Sequence, residues 1–400
     1  SIFLRPKVWA ALTYLRGADP VGYEGEITQL CATEGLRRHL RLLLIEFLGQ
    51  QRAPTDKEEA LLCDAFSRPE ERALAFRAII GSPGWFDRLD RTLIAQAMDE
   101  QGPARDWVGN VLSTAIEFAA PQVEELLEQH WLPSAEDDFR IWSVLQRAPR
   151  WSDRMLVIGQ TILGRSQVAP IYIDHLVGEI GIEQPGVALA LVRAALDRRL
   201  ALARAKAAER QDAKATEEDE TQVAIWRARN EPGSEIKTLL ETSNEWDMLA
   251  SLADQSPALM LNTLWPWFVA ALEAVLEFGL ELRDRPIYPL QFVADNRFED
   301  EHSLGLPEPS LPAALRVAIE RLAVDRPGDL RKWMKSALSA EFHPAHRLIA
   351  HAMASNPEEF ASEALDYLLE DPRRLQLGNL EGFTSTTTRL IAAAAPHWSP

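Results

Sequence analysis

Apolar residues recur along this chain at steps of three and four. From Trp107, the positions Val108, Val111, Leu112, Ala115 and Ile116 fall on one helical face. Met155, Ile158, Ile162 and Leu163 follow the same rule, as do Leu311, Leu315, Ala318 and Leu322. Strand-type alternation is confined to residues 171–173 and 286–293. Both stretches adjoin prolines, which argue against a central strand.

Helix starts are marked as clearly as helix faces. Thr55 with Glu58 and Ser67 with Glu70 fit the capping box, in which hydroxyl and carboxylate each satisfy an orphan backbone N–H. Asn356-Pro357-Glu358-Glu359 places a cap residue, a first-turn proline and two dipole-matched carboxylates in order. Pro54, Pro69, Pro83, Pro103, Pro121, Pro133, Pro149, Pro170 and Pro185 mark intervals that each fit one helix and a turn. Two such intervals make a hairpin of roughly 33 residues, near the period of helical solenoid repeats. The pattern predicts an all-α fold: an α-solenoid of degenerate antiparallel helix hairpins, a HEAT/TPR-like superhelix. In such an array each hairpin buries its apolar side against the next.

Four segments follow. Residues 1–54 form an N-terminal helical segment and 55–204 a helical-repeat array. Residues 205–236 form a charged linker or helical extension, and 237–400 a second array with a long loop at 283–309. Residues 205–221 hold nine charged side chains and no apolar one larger than Ala. Alanine favours helix, so residues 200–214 read as a solvated extension. Residues 283–309 contain four prolines and a charged middle, a loop long enough to suggest a role of its own. The longest uncharged stretch, residues 255–272, contains Asn262, Thr263 and Pro266. It reads as a buried, kinked helix rather than a membrane span, which needs ~20 mainly apolar residues.

Composition narrows the function. The net charge is −18, a poor match for nucleic acid or an anionic membrane. Cys31 and Cys63 cannot build a disulfide framework, and two cysteines suit a reducing, cytoplasmic setting. The chain does not begin with Met and enters an amphipathic pattern at once, which reads as a fragment of a longer chain. No phosphate-binding loop G-x-x-x-x-G-K-[ST], dinucleotide fingerprint, H-E-x-x-H or G-x-S-x-G occurs. The chain is therefore expected to be no enzyme, and to need no cofactor and no metal.

Candidate residues remain. His343, His346 and His351 form the one histidine cluster, with a helix starting at His343-Pro344. His346 and His351 are five apart and cannot share a ligand face, so capping and surface contact are expected. Cys31 and Cys63 read as buried structural cysteines. Trp265, Trp267 and Phe268 read as core filling around Pro266, with an aromatic ligand patch as the competing reading. Residues 1–50 carry a net charge of +1, and Arg37, Arg38 and Arg41 with Arg5 and Lys7 are either a solvated helix face or a contact surface. Arg37, Arg38 and His39 are the candidate partner contacts, followed by Arg297 and His302 in the long loop.

Several stretches resemble bacterial STAND-type NTPases, large signal-transducing ATPases that include antiviral sensors. They are Phe3-Leu4-Arg5-Pro6-Lys7-Val8-Trp9 with Leu12-Thr13-Tyr14-Leu15-Arg16, and Leu36-Arg37-Arg38-His39-Leu40 leading into residues 43–51. Gly81-Ser82-Pro83-Gly84-Trp85-Phe86, Asn356-Pro357 and residues 371–378 are similar to turns of the same region. The resemblance implies a superhelical sensor or scaffold arm, with nucleotide-binding and effector domains lying N-terminal in the same chain. It implies a protein partner on the superhelical surface. The alternatives are an autoinhibitory scaffold with only intramolecular contacts, and an enzyme with an unrecognised site.

Overall fold

The computed structural model describes residues 5–31, 38–165, 180–214, 234–241, 248–278, 288–290, 311–378 and 385–398. The chain is all-α, and no strand occurs among the described residues. It divides into two compact units, Ser1–Val168 and Ala169–Pro400.

The first unit contains α1 (Arg5–Ala18), α2 (Pro20–Cys31), α3 (Arg38–Gly49), α4 (Asp56–Ser67) and α5 (Pro69–Ala78). The one-turn α6 (Pro83–Phe86), α7 (Arg91–Asp99), α8 (Pro103–Ala115), α9 (Ala120–Leu126), α10 (Asp138–Leu145) and α11 (Asp153–Arg165) follow. The prolines act as the spacing predicts. Pro69, Pro83, Pro103 and Pro121 sit in first turns, where the missing N–H deprives no partner. Thr55 and Glu58 form the expected capping box. Ser67 and Glu70 do not. Pro69 puts the cap of α5 at Arg68, and the Ser67 hydroxyl instead donates to Cys63 O within α4.

Helices of this unit stack in succession. α3 packs on α5, α5 on α8, α8 on α10 and α10 on α11, while α4 backs α3 and α5, and α7 backs α8. A series of ion pairs stitches the stack. Arg41 reaches Glu71, the adjacent Arg72 reaches Glu100, Arg105 reaches Asp137, and the adjacent Asp138 receives Arg165. The Trp85 indole donates to Leu48 O at 2.9 Å, and the Trp131 indole to Met98 O at 3.1 Å. Both rings are fully buried. Each removes roughly 150–250 Å² from water, an upper estimate of about 4–6 kcal/mol before conformational entropy.

The second unit contains α12 (Pro185–Lys214), α13 (Ser234–Glu241), α14 (Met248–Gln255), α15 (Pro257–Phe278) and α16 (Leu311–Asp325). α17 (Pro327–Ala337), α18 (His343–Ala354), α19 (Pro357–Glu370) and α20 (Thr386–Ala394) complete it. α12 runs unbroken past residue 204. Its later part is not simply solvated: Ala207 is buried, and Lys206 and Arg210 pair with Glu235 on α13.

α15 is the centre of this unit and packs against α12, α13, α14, α16 and α17. By length and composition alone it could cross a membrane. Here most of its apolar side chains, Trp265, Trp267 and Phe268 among them, are buried in protein, as expected for core filling. Trp265 meets Trp333 edge-on at 4.9 Å. Pro266 breaks the hydrogen-bond ladder, and Arg193 Nη1 donates to Thr263 O at 3.0 Å beside the break. α16, α18 and α20 then pack in sequence, with α17 and α19 between them. Asn356 caps α19 in position only: its amide donates to Ala323 O, at the far end of α16.

Candidate functional site

A groove of about 320 Å³ opens between α8 and α10. The apolar stripe of α8 (Val108, Val111, Leu112, Ala115) is buried, which leaves Asp106, Asn110 and Ser113 along its groove edge. α10 buries Ile141, Trp142, Val144 and Leu145, and supplies Phe139, Arg140 and Ser143 to the groove. Gly109 forms part of the lining, and a Cβ there would stand 3.4 Å from the Trp131 ring. A π turn at Leu127–Trp131 continues α9 and sets that ring beneath α8.

The polar groups of the groove are held in place. Arg140 bridges Asp106 at 3.0 Å and Asp137 at 3.2 Å. The Ser113 hydroxyl donates to Gly109 O and the Ser143 hydroxyl to Phe139 O, both at 2.8 Å. The serines are thus tied to backbone carbonyls, Ser113 also reaching Ser143 O at 3.5 Å across the groove, rather than to a base, an arrangement unlike an activated nucleophile. Phe139 is 55 % exposed. The geometry suits recognition by shape and charge.

A second polar cluster lies buried in the C-terminal unit, around the histidines the sequence singles out. His343 and His346 open α18 as expected, but both are buried rather than at the surface. The His346 ring stacks on Tyr288 at 3.9 Å, and its Nδ1 lies 2.9 Å from the Tyr367 hydroxyl. Tyr288 donates to Asp371 at 2.7 Å, and Arg373 lies over the Tyr288 ring. Arg374 donates to Tyr367 O and Glu370. Gly378, at φ +65, donates its N–H to His343 Nε2. A side chain there would strike Thr386.

The electrostatics follow from this burial. Burial, then the nearby Arg347, pushes His343 down to about 3. Burial, then Arg374, does the same to His346, also to about 3. Burial and the Asp371 carboxylate push Tyr288 up to about 12. Burial opposes ionisation of Asp371, but Arg373 and Tyr288 outweigh it and hold its carboxyl well below the usual range. Neutral imidazoles and an ionised Asp371 are the forms that this packing favours. The cluster ties residues 288–290 and the turn Pro372–Gln376 to α18, and it exposes little surface.

Arg37, Arg297 and His302 lie outside the described residues. Arg38 opens α3, and His39 is exposed on it. Arg41 is neither a solvated charge nor a contact, since it is buried against Glu71 and Asp64. Arg5 pairs with Glu46. His351 bonds Glu320 at 2.7 Å. Among the described residues no group of three or more His, Cys, Asp or Glu could hold a metal ion. Cys63 is partly exposed, and burial, then Glu59 and Asp90, pushes its thiol up, away from nucleophilic use. Compared with known proteins, the chain matches no family model, no curated protein and no solved structure.

Proposed function

We propose that the chain is a protein-interaction module, an array of stacked helices that holds a segment of a partner polypeptide on its surface. The observation that carries this reading is the α8–α10 groove. Its wall is backed by Trp131 beneath Gly109, its edge is held by the Arg140–Asp106 pair, and the stack around it is stitched by ion pairs. A helical-repeat stack offers extended binding area without a deep reactive pocket. In keeping with the resemblance, the module is the sensor or scaffold arm of a larger cytoplasmic STAND-type ATPase, whose nucleotide-binding domain would precede it.

Two experiments test this. Panning a random dodecapeptide display library against the full chain should enrich a related family of sequences that bind saturably. A library that yields no saturable binder removes the reading. The reading frame upstream of Ser1 should encode a phosphate-binding loop. A frame that encodes none removes the STAND part and leaves the interaction module.

A further inference from the structure

We infer that His343 is the catch of a proton-operated latch: as neutral imidazole it holds the turn at Gly378, and with it the first turn of α20, against α18. Uptake of a proton by His343 opens the latch and frees that end of α20. The hydrogen bonds lead to this. Gly378 donates its N–H to His343 Nε2 at 3.1 Å, and both groups are buried. A ring nitrogen that accepts carries no proton, so neutral His343 holds its proton on Nδ1. A second proton can then go only to Nε2. The imidazolium has no acceptor left, and two N–H groups face each other where one bond stood.

The turn carries α20 with it. Leu377 N–H donates to Thr387 Oγ1 at 3.2 Å, Thr387 N–H returns to Leu377 O at 3.3 Å, and the Thr387 hydroxyl donates to Arg374 O at 2.6 Å. A second tie runs from α18, where Arg347 Nε donates to the Thr386 hydroxyl at 3.1 Å. Arg347 stands one helical turn after His343, so a charged ring repels the residue that makes the second tie while it breaks the first.

The surroundings offer a charged His343 little compensation. The groups facing the two imidazoles are Arg347 on α18, Tyr367 on α19, Tyr288, and Asp371, Arg373 and Arg374 before the turn. Asp371 is the one carboxylate among them, and it is committed to Arg373 and Tyr288. Burial and Arg347 disfavour the charged ring of His343, and the Gln376 backbone offsets them only in part. The far end of α20 is held separately, since the Trp398 indole donates to Ala361 O on α19 at 2.9 Å. α20 therefore swings from its first turn. It packs on α18 and α19 through the fully buried Leu390, so opening bares an apolar seam between them.

The test is hydrogen exchange of the full chain, read by mass spectrometry at pH 7 and pH 5 and corrected for intrinsic rates. Opening that frees one imidazole to titrate near its ordinary 6.5 should speed exchange over α20 at least tenfold between the two. At pH 5 α20 should exchange ahead of α18 and α19. In His343→Gln the amide oxygen can still accept from Gly378 but takes up no proton, so the change over α20 should shrink below twofold. His346→Gln alters the other buried imidazole, which bonds Tyr367 rather than the turn, and should leave the tenfold change in place. Circular dichroism at pH 7 checks that both variants fold. A His343→Gln protein whose α20 keeps the tenfold response overturns the inference. So does a His346→Gln protein that loses it, because the response then belongs to the whole cluster. A wild-type chain in which α18 and α20 open together at pH 5 overturns it with no variant needed.

Discussion

Arg41 and Glu71 stand thirty residues apart and exchange two parallel hydrogen bonds of 2.7 Å, with both side chains buried. Glu71 lies beside Arg72, which reaches forward to Glu100, so two neighbouring residues on α5 face opposite neighbours in the stack. Removing one member of such a pair strands a buried charge, which costs about 3–5 kcal/mol. Glu71→Ala should lower the urea midpoint of unfolding accordingly, followed by tryptophan fluorescence. Replacing Arg41 and Glu71 together with Met should cost far less. A single variant that unfolds at the wild-type midpoint would show that the pair contributes nothing to the stack.

Trp131 links the groove to the stack. Its indole N–H meets Met98 O while its ring underlies Gly109. Trp131→Phe keeps much of the apolar volume but leaves a buried carbonyl unpaired, at a cost of about 1–3 kcal/mol. Gly109→Leu should lower the melting temperature as well as distort the groove, because its Cβ would already stand 3.4 Å from the buried Trp131 ring. Thermal unfolding separates the two effects from peptide binding. A Trp131→Phe protein that melts with the wild type would show that the hydrogen bond does no work.

Helix faces and starts were legible because they depend on local spacing. The stripe Val108, Val111, Leu112 and Ala115, the first-turn prolines and the Thr55–Glu58 box all follow from neighbours within one or two turns. Cross-stack pairing was not legible. Arg41 reads as a surface charge until Glu71 is known to lie against it, and the partner spacings vary too much to betray a period. The groove was half visible: Asp106, Asn110 and Ser113 are the polar complement of the α8 stripe. Phe139 could be assigned to it only once α10 had committed Ile141 and Trp142 to the core. His343 and His346 stood out in the sequence, but their burial depends on residues 288–290 and 371–378, which no local rule places.

Glu58 anchors the N-terminal helices. It is fully buried, and it accepts from Arg16 of α1, the Tyr23 hydroxyl of α2 and the Thr55 N–H. Burial works against its charge, but these three donors outweigh it and hold its pKa below the ordinary 4.5. Glu58→Ala should cost about 3–5 kcal/mol, since it also leaves the Tyr23 hydroxyl and a helix cap unpaired. The stabilisation is complete above pH 4.5 and fades as pH falls below it. Denaturant titrations of wild type and variant should therefore converge in acid. A constant gap from pH 7 to pH 3 would contradict the assignment.

His343 and His346 titrate in the same sense but from a higher pH. Folding holds both near 3, below the ordinary 6.5, so the folded C-terminal unit resists the proton that the unfolded chain accepts. Stability is complete above pH 6.5 and is lost as pH falls from 6.5 toward 3. By linkage each histidine costs roughly 2 kcal/mol at pH 5. The groups facing them are Tyr288, Tyr367, Asp371, Arg373, Arg374 and Arg347. The three arginines oppose a further positive charge, and Asp371 compensates only in part. Because the Glu58 network weakens only below 4.5, a window near pH 5 separates the two units. Hydrogen exchange read by mass spectrometry at pH 5 should show α18, α19 and α20 opening faster than at pH 7, after correction for intrinsic rates. α1 to α4 should be unchanged over the same range. His346→Phe should remove one proton's worth of this slope while costing stability at pH 7 through the lost Tyr367 contact. Equal protection of α18 to α20 at both pH values would show that the buried imidazoles are not what acid attacks first.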